Sequence, residues 1–327
     1  MGHAAVSEAS RSAAHSTHTA ERPAWTAWHL HLPSTAQSVH DRVLSQAIAP
    51  AIEQLPGLPW FFVRYWQAGP HLRLRIAGLE PERARATELR LREALTDTTV
   101  LRDGEEPLTD TAFGQEAQRL ASAGEAGSAL PPGAPPLPAG VYEAVYEPEY
   151  ERYGGEALMP LSESLFTLSS TLVLAFLSRP RGRRARALFA LTAAAGATAA
   201  LGGSSEADAF CAHGLASWRR WLLGYGYPAD EVDRWTAAAG SGPGEAEQTR
   251  AALASAEAGT GPLALWQREL TASLGIWRQS PDVQPGRILF SHLHMLHNRL
   301  GLGIADELLT YARLAPHHTT DPDRSIR

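Results

Sequence analysis

The chain predicts an α+β fold: a β-hairpin-containing sheet in the N-terminal half, packed against a mostly helical C-terminal half. Three observations carry this. Trp60 to Ile76 holds two runs of period-two alternation joined by the turn Gln67-Ala68-Gly69-Pro70, which is a hairpin pattern. Trp28-His29-Leu30-His31-Leu32 and Val141 to Tyr146 alternate in the same way. From Met159 onward the apolar residues recur at helical spacing, broken only by Gly, Pro and Ser clusters.

Taken in order, Met1 to Pro23 is polar, lacks an apolar stretch of signal-peptide type and is expected to be a disordered tail. The first strand ends at Pro33, where Ser34 and Thr35 offer an N-cap to a helix carrying Val39, Val43, Leu44, Ala47, Ile48, Ile52 and Leu55, kinked at Pro50. In the hairpin, Leu72, Leu74 and Ile76 alternate with His71, Arg73 and Arg75. The latter three share one face, with successive cations about 7 Å apart, a spacing that suits carboxylate or carbonyl groups. Pro81 to Leu95 reads as an amphipathic helix, Thr98 to Leu101 as a short strand and Asp110 to Ala121 as a helix. Gly124 to Gly140 is a Pro- and Gly-rich surface loop. Eight helices follow: Leu161–Leu177, Arg183–Leu201, Ala207–Leu223, Asp230–Ala239, Glu245–Ala258, Leu263–Arg278, Pro285–Arg299 and Ala305–Leu314. The expected organisation is a tail over 1–23, one domain over 24–316 and a second tail over 317–327.

Composition removes several classes of chemistry. All 29 basic residues are arginine, so a Schiff-base lysine, a P-loop lysine and any lysine nucleophile are excluded. The single cysteine, Cys211, excludes an internal disulfide and any multi-cysteine metal site. A net charge of −6 argues against a nucleic-acid surface. The longest apolar runs, Leu172 to Leu177 and Leu188 to Leu201, are too short or too alanine-rich to span a bilayer, so a cytoplasmic chain is expected.

Three clusters can carry chemistry: His71, Arg73 and Arg75 in the hairpin; Glu149, Glu151 and Arg152 in a loop; and Ser291 to Arg299, where His294, His297 and Asn298 fall within one helical turn. A metal on that helix is not expected, because HExxH spacing is absent.

RYWQAGPHLRLRI, EPEYERYGG and HMLHNRLGL, in that order, resemble the signature blocks of the lantibiotic dehydratase C-terminal (elimination) domain family. That family includes the stand-alone thiopeptide-type bacteriocin biosynthesis proteins. The resemblance implies a maturation enzyme for a ribosomally made precursor peptide with a leader. A separate glutamyl-tRNA-dependent subunit would glutamylate Ser or Thr, and this chain would expel glutamate to leave dehydroalanine or dehydrobutyrine without a cofactor. The family's catalytic residues fall on Arg75, Arg152 and His294. His71, Arg73, Tyr153, His297, Asn298 and Arg299 are expected to bind substrate. One departure stands out: in Phe166-Thr167-Leu168-Ser169-Ser170, Ser169 occupies the family's aspartate position. Related stand-alone chains are pyridine synthases, which join two dehydroalanines by a formal aza-[4+2] cycloaddition with leader release, and that remains the alternative. A non-catalytic peptide-binding partner of a dehydratase is a third reading.

Overall fold

The computed structural model describes residues 23–115 and 135–319. Four antiparallel strands, β1 (Trp25–His31), β2 (Trp60–Tyr65), β3 (His71–Ala77) and β4 (Gly140–Ala144), form one sheet in the order β2-β3-β1-β4. Register follows the side-chain pattern: Phe61, Val63 and Tyr65 stand opposite Arg75, Arg73 and His71, while Leu74 pairs with both Trp28 and Phe62. One face therefore carries Trp28, Leu30, Leu72, Leu74 and Ile76, all buried in the core, and the other carries the histidines and arginines. The hairpin turn places Ala68 and Gly69 at positive φ, 59° and 105°.

The helix after β1 is continuous but uneven. It runs through α1 (Gln37–Val43), a π-turn (Leu44–Ile48) and α2 (Ala49–Glu53), with the Ala49 N–H reaching back to the Leu44 carbonyl. Pro50 thus produces a wider turn just ahead of it, a recognised source of kinks. No side chain caps α1; the Ser34 hydroxyl instead accepts from the Ala36 N–H and donates to the Glu106 carbonyl.

Thr98 to Leu101 is not a strand. Helix α3 (Pro81–Thr98) ends at its first residue and a turn follows, and the guanidinium of Arg42 takes the Thr98 and Val100 carbonyls that a sheet partner would need. Helix α4 begins at 110 and is described to 115. The remainder of that expected helix, most of the Pro-rich loop, and nearly all of the two expected tails lie outside the described residues.

The second half is helical: α5 (Met159–Leu177), α6 (Arg183–Leu201), α7 (Ser204–Gly224), α8 (Ala229–Ala238), α9 (Glu245–Glu257), α10 (Ala264–Gln279), α11 (Pro285–Leu300) and α12 (Ile304–Thr319). Boundaries differ from those expected by a few residues, as helix ends do. The segment Glu156–Leu177 is long and apolar enough to cross a bilayer, but α5 packs on β2, α10 and α11. Its buried Leu165, Phe166 and Val173 are part of the core.

Candidate active site

Helix α11 is the beam on which the site is built. Its C-terminal carbonyls, which have no partner within the helix, are taken by side chains of α1, β2 and α6. Arg64 Nε donates to Arg299 O at 3.0 Å, Arg186 to Leu300 O at 2.6 Å and Gln37 to Gly301 O at 2.7 Å. Asp41 pairs with Arg64 and Arg186 and holds both. Gly301 ends the helix at φ 72°, and a Cβ there would strike Gln37 and Arg64. Asn298 completes the attachment: its amide accepts from the Arg64 N–H at 2.9 Å and donates to the Arg64 carbonyl at 2.8 Å. It closes the free edge of β2 as a neighbouring strand would.

On this beam His294 is a quarter exposed and Glu307, from α12, is buried, with His294 Nδ1 2.8 Å from Glu307 Oε1. Trp218 covers the imidazole at 5.1 Å between ring centroids. The Glu307 carboxyl group at Nδ1 fixes the ring, and once ionised it orients Nε2 as the free base and stabilises the imidazolium. Burial pushes the Glu307 carboxyl up to about 8, against partial opposition from His297 and Arg152. Between its ordinary 4.5 and about 8 the folded chain therefore binds more protons than the unfolded one, so ionising Glu307 removes stability as pH rises through that window. Glu307→Gln is accordingly expected to raise the melting temperature at pH 8 and leave it nearly unchanged at pH 5. A melting series across pH measures this.

Arg152 lies on the 3-10 turn Tyr150–Tyr153 and reaches α11, where its Nε donates to Ser291 Oγ at 3.1 Å; its other arm pairs with Glu149 at 2.9 Å. Gly154, at φ 85°, lets the turn close onto α11: a Cβ there would sit 2.8 Å from Leu158 and 3.0 Å from Ile288. Beyond Arg152 opens a groove of about 490 Å³ whose walls include Glu151, His213, Arg287, Phe290 and Ser291, the size range of small-ligand and peptide-segment sites.

On the sheet side of the turn is a small cavity of about 40 Å³, lined by Phe61, Arg75, Tyr153, Phe166, Met295 and Arg299 among others. Arg299 is buried; its Nε donates to Ser170 Oγ at 2.9 Å, while both terminal nitrogens have no partner among the described residues. Nor does the buried Nε of Arg75. Burial lowers Arg75 to about 10 and Arg299 to about 9, and each also feels another arginine, Arg73 for the first and Arg75 for the second. Both stay cationic at neutral pH. The cavity thus brings together buried Arg299 and half-buried Arg75, with Arg299 Nη1 and Nη2 and Arg75 Nε unpartnered among the described residues, an arrangement that can hold an anion. Tyr153, its phenol pushed by burial up to about 12, forms part of the wall.

The expected site residues divide into three groups. Arg75, Arg152, Tyr153, His294 and Arg299 gather around the turn and α11, linked through Ser291, Glu149 and the cavity. Two others serve the fold. His297 is fully buried, hydrogen-bonded to Leu293 O and Thr310 Oγ1, and Asn298 is the clasp on β2. The third group is His71 and Arg73: they turn toward the far end of the sheet face, Arg73 lying over the Tyr65 ring at 3.5 Å and donating to His71 Nε2 at 3.2 Å. Sequence reasoning missed Glu307 and Ser170. Ser169, in the family's aspartate position, is buried and bonded to its own helix at Leu165 O, and it is the neighbouring Ser170 that accepts from Arg299 Nε.

A hairpin, a 3-10 turn and helix α11 thus present arginines and a histidine on an α+β scaffold. The profile of the lantibiotic biosynthesis dehydratase C-terminal family matches residues 25–318, and the chain belongs to that family. No curated protein matches it. Among solved structures, the pyridine synthase TbtD from thiomuracin biosynthesis is similar with a TM-score of 0.72 at 20% identity, over 90% of this chain and 98% of that one. TsrL is similar with a TM-score of 0.58 at 17% identity, over 89% of this chain and 93% of that one. The tRNA-dependent lantibiotic dehydratase MibB from Microbispora sp. 107891 matches with a TM-score of 0.49 at 24% identity, over 93% of this chain but 28% of that one. These likenesses concern the fold.

Proposed function

We propose that this protein eliminates glutamate from glutamylated Ser or Thr residues of a precursor peptide, producing dehydroalanine or dehydrobutyrine. The observation that carries this reading is the cavity lined by Arg75 and Arg299, where Arg299 Nη1 and Nη2 and Arg75 Nε have no partner among the described residues. In the reaction, the His294 imidazole, backed by Glu307, takes the α-proton. The C–H electron pair becomes the Cα=Cβ double bond, and the Cβ–O pair leaves with glutamate as a new carboxylate. An ester oxygen is a poor partner for a buried guanidinium and a departing carboxylate is a good one, so the cavity favours the transition state over the ground state. Arg152, at the mouth of the groove, faces the charge that develops on the peptide carbonyl as the α-proton is removed.

A second reading stays open because the likeness to a stand-alone pyridine synthase runs over nearly the whole of both chains. Incubating the protein separately with a glutamylated peptide and with a peptide already carrying two dehydroalanines, then reading masses, distinguishes the two. Loss of glutamic acid from the first peptide, without a partner protein, is the expected result. Turnover of the second alone, with loss of water and leader, refutes elimination and establishes the cyclase reading.

A further inference from the structure

The far end of the sheet face, which the proposed elimination does not use, carries three histidines. Strand alternation puts His29 and His31 on one side of β1, and the register sets His71 of β3 directly opposite His31. One ring nitrogen from each lies within 4.8 Å of the other two. His31 and His71 are buried, and His29 is half-buried. We propose that His29, His31 and His71 form a binding site for a divalent transition metal, with zinc as the fitting ion.

The donor set is the first support. Three imidazoles are a ligand set for tetrahedral zinc with one position left open, and the sheet register brings all three to one place. The orientation of His71 is the second. Its Nδ1–H donates to the Gly69 carbonyl at 2.8 Å, the outer-shell bond that orients a metal-binding histidine and puts the lone pair on Nε2. The buried Nδ1 of His31 has the Ala68 backbone beside it but no partner of good geometry among the described residues, so it can turn to a ligand. Spacing is the third: nitrogens about 2.0–2.1 Å from one zinc stand roughly 3.3 Å from each other, so the donors need to close by at most about 1.5 Å. The rings now stack at 23° and 27° to His71, and side-chain rotation must bring their in-plane lone pairs together.

Arg73 opposes the metal. Its Nε occupies the His71 Nε2 lone pair at 3.2 Å, and its charge repels a cation. This makes Arg73 a diagnostic: removing it should tighten binding, which no accidental histidine chelate elsewhere on the chain would show.

The test uses the full chain with His3, His15, His18, His317 and His318 replaced by glutamine, so that histidines near the two ends of the chain do not add to the signal. Chelator-stripped protein is titrated with Co²⁺, followed by visible absorption, and then challenged with Zn²⁺. The expected result is one equivalent of cobalt in a low-coordinate spectrum, displaced by zinc. His31→Gln or His71→Gln should weaken binding at least tenfold, and Arg73→Gln should strengthen it several-fold. Should the two buried variants fail to fold, His29→Gln gives the same readout at a half-buried position. Absence of stoichiometric cobalt binding, or binding that survives loss of these histidines, overturns the proposal.

Discussion

Replacing His294 by alanine is expected to lower the rate of glutamate elimination by about 10²–10⁴-fold, the usual contribution of a positioned general base. Glutamylated peptide should accumulate when the glutamylating partner is present, and mass spectrometry reads it directly. The loss should fall on kcat more than on KM, because the imidazole acts on the α-proton and the peptide is held mainly by the groove beyond Arg152. His294 is a quarter exposed, so its truncation leaves no large void. Glu307→Gln separates the imidazole's chemistry from its positioning: the amide can still bond to Nδ1 but cannot carry the compensating charge. That variant should be slower while being more stable at pH 8.

Arg75→Gln is expected to lower the elimination rate by about 10²–10³-fold, the range for removing one preorganised donor from a site of developing negative charge. Stability should move the other way or not at all. Arg75 Nε is buried without a partner and its cation lies among aromatic rings, 5.2 Å from Phe61 and 4.8 Å from Tyr146. Taking away a poorly compensated charge removes a desolvation cost. A variant that is inactive yet melts no lower than the parent separates loss of chemistry from loss of fold. Because Arg75 and Arg299 line one cavity, their effects should not add when both are changed.

The sheet and the helices were legible in the sequence because their patterns are local. Alternation in β1 and in the hairpin set which side chains share a face, and the hydrophobic period set the helices within a few residues. The Thr98–Leu101 stretch misled because its short β-prone run says nothing of Arg42, 56 residues earlier, which satisfies its carbonyls. Glu307 was hidden for a similar reason. In Ala305-Asp306-Glu307-Leu308 it reads as an ordinary acidic residue of a helix's first turn, and only the packing of α12 beside α11 buries it against His294. His297 and Asn298 share a helical turn with His294, but α12 takes the first and the edge of β2 takes the second. The Glu307 and Ser170 roles arise from side chains meeting across more than one element, which no spacing along the chain encodes. The His29-x-His31 pair was visible, and the hairpin's His71 opposite it became visible only once β1 was known to lie beside β3.

The most direct test of the account is to measure whether the cavity between Arg75 and Arg299 takes the glutamyl group. A precursor peptide carrying glutamate through an amide in place of the ester mimics the substrate but cannot eliminate. Its complex with the protein, solved crystallographically, should place the glutamyl carbonyl oxygen of the amide within hydrogen-bond reach of Arg75 or Arg299 and the α-carbon facing His294 Nε2. A complex in which the glutamyl group lies elsewhere, with the Arg75–Arg299 cavity still lacking an acceptor, would contradict it.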